Sequence, residues 1–186
     1  MDLKCNGTQS FGAKYVSPAK IKAKVGKYWK NQDVNFVKVD TRNNAADVQT
    51  IRDVEKLWGG QNLSNEFTRV AELSKGNANI YALTTQTDNL EKLEADKILG
   101  MIDTSNIKKK GVVDIYRVAT NPKYAYEQNT RTRDKKHIAK ELVESFKKML
   151  GPKAKAIAEF AEATDMKFLK RIGLDSRNNG ELIMIL

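Results

Sequence analysis

The chain has almost none of the residue types that build stapled or metal-centred folds. It has 186 residues, and Cys5 is its one cysteine and His137 its one histidine. A lone cysteine excludes an internal disulfide. A lone histidine argues against a zinc site of clustered Cys and His, so no metal is expected. No apolar run approaches the roughly 18 residues needed to cross a bilayer. The opening MDLKCNGTQS lacks the apolar core of a signal peptide. A cytoplasmic protein without a membrane partner is therefore expected. Neither G-x-G-x-x-G nor G-x-x-x-x-G-K-S/T occurs, so neither a Rossmann nor a P-loop site is supported.

What the chain does have is positive charge. Lys and Arg number 33 against 23 Asp and Glu, a formal net charge of +10. Such an excess suits coenzyme phosphates, nucleic acid or a membrane surface, though many basic chains are only solubly basic. The length fits one domain or one domain with an extension. Residues 1–30 read as that extension: Lys4, Lys14, Lys20, Lys22, Lys24, Lys27 and Lys30 stand against one acid, Asp2. Within it Ala19, Ile21, Ala23 and Val25 alternate with Lys20, Lys22 and Lys24. That period of two reads as an edge strand guarded by lysines, or else as an arm that meets a polyanion. Residues 31–186 read as a single domain.

Along that domain, Val34–Thr41 reads as a strand. Val48, Ile51, Val54 and Leu57 mark a helix from Asp47 that Gly59 and Gly60 end. Ser64 or Asn65 can cap a second helix carrying Phe67, Val70, Ala71 and Leu73. Strands are expected at Ile80–Thr85, Ile98–Asp103 and Val112–Thr120, with Lys108–Gly111 as a hairpin turn. A long helix from about Arg133 to Leu150 carries the apolar stripe Ile138, Leu142, Phe146 and Met149, and Gly151-Pro152 closes it. A strand at Ala154–Ala161, a short helix holding Met166, Phe168 and Leu169, and the terminal strand ELIMIL complete the order. The expected class is α/β (α+β), with a central mixed, mostly antiparallel sheet flanked by helices.

The segment VVDIYRVATNPKYAYEQNTRTRDKKHIAKELVESFKKML (Val112 to Leu150) is the most informative. An apolar strand feeds a polar, basic loop that opens an amphipathic helix. The first turn of a helix has unpaired backbone N–H groups and partial positive charge. Arg131, Arg133, Lys135 and Lys136 add full charges there. The combination suits a phosphate, as in a nucleotide-like cofactor.

Three phrases, in this order, resemble the GNAT family of acyl-CoA N-acyltransferases over about residues 34–186. IYRVATNP (Ile115 to Pro122) resembles the family's fourth strand. RDKKHIAKELVESF (Arg133 to Phe146) resembles its Gln/Arg-x-x-Gly-x-Gly/Ala loop and following helix, with Ala139 at the last small position and Leu142 at the leucine. FLKRIGL (Phe168 to Leu174) is similar to the Phe-Tyr-x-x-x-Gly-Phe phrase near the family's C-terminus. Departures are plain: His137 stands at the loop's first glycine, Asp134 at its Gln/Arg position unless Arg133 is shifted by one, and Leu169 where many members have tyrosine.

The resemblance implies a sheet splayed at an acyl-CoA site. The coenzyme A thioester, acetyl-CoA, would lie along Val118, Ala119 and Thr120, near a bulge in the strand. The loop Arg133, Asp134, Lys135, Lys136, His137, Ile138 and Ala139 would hold its pyrophosphate. The implied activity is N-acetyl transfer by direct attack of an amine, a small molecule or a protein, through a tetrahedral intermediate. Asp114 is the candidate general base on the fourth strand, or else a salt-bridge partner. Tyr116, two residues on, lies on the same face of the strand as Asp114 and could donate to the substrate, or else pack in the core. With leucine at position 169, Tyr124 or Tyr126 of the long loop is the candidate acid. Trp58, Gln61 and Asn62 could line an acceptor pocket. The alternatives are acyl-CoA binding with little catalysis, and nucleic-acid binding. RNA would use the basic N-terminal segment, Lys108–Lys110, and Tyr15, Tyr28 and Trp29 interleaved with lysines.

Overall fold

The alternation that opens the chain becomes the first of two long strands. A computed structural model describes residues 12–59, 66–73, 78–106, 112–124, 133–151, 155–158, 175–176 and 182–185. Strand β1 (Lys14–Val25) and β2 (Tyr28–Val39) form a hairpin. Gly26, at φ +60°, supplies the turn between them, a conformation that costs glycine little. Thus β2 starts well before Val34. Ala19 and Ile21 are buried in the core, so the lysines between them are turned to the opposite face.

Helices α1 (Ala45–Leu57) and α2 (Glu66–Leu73) follow. Asn44 caps α1 by accepting the Ala46 N–H, and Gly59 at φ +87° lies just beyond its end. A carboxylate from α1 caps α2: Glu55 Oε1 accepts the Phe67 N–H at 2.7 Å and Oε2 the Thr68 N–H at 3.2 Å. Ser64 and Asn65 lie outside the described residues, as do the Lys108–Gly111 turn and the helix expected around Phe168.

The sheet continues with β3 (Ala78–Thr84), β4 (Ile98–Ser105), β5 (Val112–Thr120), β6 (Lys135–Lys136), β7 (Lys155–Ala158), β8 (Asp175–Ser176) and β9 (Leu182–Ile185). The order across it is β6-β1-β2-β3-β4-β5-β7-β9-β8. Every described pairing is antiparallel except β5 with β7, which is parallel. The mixed, mostly antiparallel sheet expected from the sequence is therefore present.

Helix α3 (Ile138–Leu150) starts five residues later than its amphipathic pattern suggests. The cause is a competing partner. The outer edge of β1 takes Lys135 and Lys136 as β6, and the Lys24 N–H donates to the Asp134 carbonyl at 2.8 Å. His137 then turns the chain through the left-handed region, at φ 68° and ψ 16°.

Two cores lie on the two faces of the sheet. Beneath α3, Ile138, Leu142, Val143 and Phe146 pack on Ile21, Phe36, Leu83 and Ile115. Tyr81 stacks on Phe36, centroids 5.6 Å apart, and meets Phe146 at 5.3 Å. On the other face Ile51, Val54, Trp58 and Phe67 from α1 and its neighbours cover Val37, Ile80, Ala82 and Met101. Each fully buried Phe or Ile contributes about 1.5–3 kcal/mol. Among the described residues no helix is long and apolar enough to cross a membrane.

Candidate functional site

Where β5 leaves its regular register, the sheet offers backbone groups to a ligand. Asp103 of β4 pairs with Arg117, but Thr104 pairs with Ile115, so Tyr116 is an extra residue in β5. This is a β-bulge, which bends a strand and disrupts the local ladder. On its other side β5 pairs with β7 from Val112↔Lys155 to Ile115↔Ala158. Among the described residues, Tyr116 to Thr120 have no strand partner on that side.

The bulge also changes how side chains are aimed. Val113 and Ile115 belong to the core beneath α3, so Asp114 points to the other face. Its N–H donates to Ser105 Oγ at 2.9 Å. After the bulge Val118 faces α3, while Arg117 lies over the Phe67 ring at 5.4 Å on the opposite face. The period-two spacing of Asp114 and Tyr116 therefore no longer fixes their faces together. Tyr116 is 46% exposed. Tyr126 and Leu169 lie outside the described residues, as do Gln61 and Asn62; Trp58 is buried in the core against α1.

Opposite the bulge stands a residue that the sequence did not single out. Asp103 is 1% exposed, and burial pushes its carboxyl up to about 7. The positive charge of Arg117 opposes that rise, and the negative charge of Glu66 adds to it. Arg117 Nη2 donates to Glu66 Oε2 at 2.9 Å, and Asp103 Oδ1 has no hydrogen-bond partner among the described residues. A carboxyl that titrates near neutrality is matched to proton transfer.

The end of β5 leads to the start of α3. Val118, Ala119 and Thr120 pair with Ile102, Met101 and Gly100. Gly100 lets the helix come close: a Cβ there would lie 3.0 Å from Ile138 Cγ2 and 3.1 Å from the Ala119 carbonyl oxygen. Ile138 and Ala139 are buried in this contact, and their N–H groups belong to the first turn. His137 occupies the N-cap without capping through its side chain.

The charges of cations from three elements act on His137 at this turn. Burial lowers the pKa of His137, and Lys136, Lys140, Lys22 and Arg133 lower it further in that order. Lys22 comes from the N-terminal hairpin, because β6 pairs Lys136 with it. Aromatic faces hold the two β6 lysines: Lys136 Nζ lies 4.2 Å from the Trp29 ring centroid and Lys135 Nζ 4.9 Å from that of Tyr124. Lys135 Nζ is also 3.7 Å from Asp134 Oδ2. Of the aromatics read as stacking platforms, Tyr15 and Tyr28 are exposed and Trp29 is half-buried. A helix first turn, a left-handed entry and four neighbouring cations suit a phosphorylated ligand. Among the described residues no group of three His, Cys, Asp or Glu could hold a metal ion.

No protein-family model matches the chain, and no curated protein matches it. Solved structures similar to it include a PaiA N-acetyltransferase from Thermoplasma acidophilum in complex with coenzyme A, 11% identical, with 82% of this chain and 98% of that chain covered and a TM-score of 0.49. Another is the catalytic domain of the Tetrahymena GCN5 histone acetyltransferase in complex with coenzyme A, at 12% identity, 82% and 91% coverage and a TM-score of 0.47. A third is the aminoglycoside 6'-N-acetyltransferase from Enterococcus faecium, at 13% identity, 80% and 94% coverage and a TM-score of 0.46. All three are acetyltransferases by description, the class that the sequence phrases resemble.

Proposed function

We propose that the chain is an N-acetyltransferase that takes its acyl group from acetyl-CoA and passes it to an amine. The observation that carries this reading is the bulge at Tyr116, in a strand that leads to the cation-ringed start of α3. A bulge disrupts the ladder in mid-strand; the Arg117 N–H is given to the Asp103 carboxyl, and a backbone N–H near Val118 is suited to polarise a thioester carbonyl. The first-turn N–H groups of α3, with Lys22, Lys136, Lys140 and Arg133, are suited to the coenzyme's phosphates. Acetyl-CoA supplies an activated acyl group on a thiolate that leaves readily.

Asp103 is the general base in this account. Its carboxylate takes, through a bridging water, the proton that the amine must lose, since Asp103 is 1% exposed. A pKa of about 7 keeps a good share ionised at neutral pH. Burial sets that value; Arg117 lowers it and Glu66 raises it. Asp114 remains a second candidate on β5. Tyr116, Tyr124 and Tyr126 are candidates to protonate the departing thiolate, and solvent can do the same.

Two measurements test the reading. Acetyl-CoA should raise the melting temperature, since a ligand of the native state stabilises it by mass action. Lys22→Gln with Lys140→Gln should weaken that shift strongly, and both changes leave β6 and its aromatic contacts in place. Thiol release with a panel of amines should then be seen for the wild type. An unchanged melting shift in the double variant would remove the phosphate assignment.

A further inference from the structure

At the opposite end of the sheet two lysines face each other without a carboxylate between them. Lys14 of β1 is the direct cross-strand partner of Lys38 of β2. Like charges placed directly opposite destabilise a sheet. Burial lowers the pKa of Lys38, and Arg42 and Lys14 lower it further while Asp40 opposes them. Lys38 Nζ lies 5.9 Å from the Tyr81 ring centroid, a contact that does not neutralise its charge.

These residues border a cavity of about 510 Å³. Lys14, Lys38, Arg42, Asn43, Asn79 and Asp40 are among the residues that line it, and Asp40 is the one acid among the described lining residues. Asp40 is committed to the turn before α1: its Oδ1 accepts the N–H groups of Arg42 and Asn43, each at 3.1 Å. Among the described lining residues, three cations less one anion leave a formal charge of +2, with Arg42 Nη2 also donating to Asn106 Oδ1 at 3.4 Å. That matches a phosphate monoester, which carries about −1.5 to −2 near neutral pH. The volume lies within the usual range of small-ligand pockets, about 300–1,000 Å³, and exceeds what a bare phosphate fills.

We propose that this cavity binds a small phosphate monoester, with Lys14, Lys38 and Arg42 on the phosphate and the organic portion in the remaining space. The site is separate from the start of α3. Ala78, which lines the cavity, pairs with Ser105, whereas α3 rests on Gly100 of the same strand. Five residues of strand separate them by about 17 Å. The proposal therefore stands whether or not the chain transfers acetyl groups.

Glycerol 3-phosphate, titrated into the full chain at constant ionic strength with chloride as the control anion, tests it. The backbone amide signals of Thr41, Arg42 and Asn43 should shift with saturation. Lys14→Gln with Lys38→Gln should weaken binding at least tenfold, Lys38→Arg should retain most of it, and Lys22→Gln with Lys140→Gln should leave it unchanged. No saturable shift at Thr41 to Asn43 in the wild type would overturn the proposal, with no need for a variant. Binding that survives in Lys14→Gln with Lys38→Gln, or that is lost in Lys22→Gln with Lys140→Gln, would overturn it as well.

Discussion

Asp103 and Arg117 are cross-strand partners beside the bulge, yet Arg117 gives its guanidinium Nη2 to Glu66 at 2.9 Å. The aspartate is thus left in the core with a cation near it and one oxygen without a hydrogen-bond partner among the described residues. Coulomb attraction from Arg117 lowers its pKa and repulsion from Glu66 raises it, but burial outweighs both.

If Asp103 is the base, kcat/KM for an amine acceptor should rise with pH and level off above about 7, where the carboxyl is ionised. Asp103→Asn should lower kcat by about 10²–10⁴-fold. Its acetyl-CoA affinity should be little changed, since the loss falls in the transition state. A full rate in Asp103→Asn would return the role to Asp114.

The neighbours give a test with two signs. Arg117→Gln removes the charge that lowers the Asp103 pKa, so the rising limb of the pH profile should move to higher pH. Glu66→Gln removes the charge that raises it, so the limb should move to lower pH. Profiles that shift in the same direction, or in neither, would show that these charges do not govern the titrating group.

Stability should respond to the same group. The folded-state pKa of Asp103 is raised to about 7, against about 3.9 unfolded. The native state therefore binds the extra proton, and stability falls as pH rises between those values. Asp103→Asn should be close to neutral at pH 4 and should gain on the wild type up to about pH 7, by roughly 4 kcal/mol at most. Urea denaturation at pH 4, 6 and 8 would show it, and an advantage that does not grow with pH would refute it.

Gly100 holds α3 against β4. Gly100→Val places its first carbon 3.0 Å from Ile138 Cγ2 and 3.1 Å from the Ala119 carbonyl oxygen. The helix start must shift, at a cost of about 1–3 kcal/mol, and acetyl-CoA affinity should fall with it. Calorimetric binding that is unaffected would separate the α3 start from the ligand.

Much of the scaffold is legible in the residues. Val112–Thr120 forms β5 as read, and Ile138, Leu142 and Phe146 are buried along one stripe of α3 as its spacing implies. His137, read from the sequence at a position that resembles a glycine of the family's loop, is left-handed, at φ 68°. Other features have no local signature. A bulge at Tyr116 depends on how β4 and β5 register, and an unbroken alternation hides it. Asp103 in MIDTS looks like one more alternating residue; only its burial in the folded sheet and the turn of Arg117 toward Glu66 set it apart. The charge of Lys22 acts on His137 because two residues more than a hundred positions away add to its strand. Lys135 and Lys136 read as the first turn of a helix, and the open edge of β1 claims them instead.

The most direct test of the account uses the chain's single histidine. His137 sits at the turn assigned to the coenzyme phosphates, and burial with the charges of Lys136, Lys140, Lys22 and Arg133 lowers its pKa from 6.5. Bound phosphates offset those cations and favour the protonated ring. Proton NMR titration of its ring C–H signals should give a midpoint below the ordinary value for the free protein, and a higher midpoint when acetyl-CoA is saturating. A midpoint that stays in place while acetyl-CoA is bound would contradict the assignment of the phosphates to the start of α3.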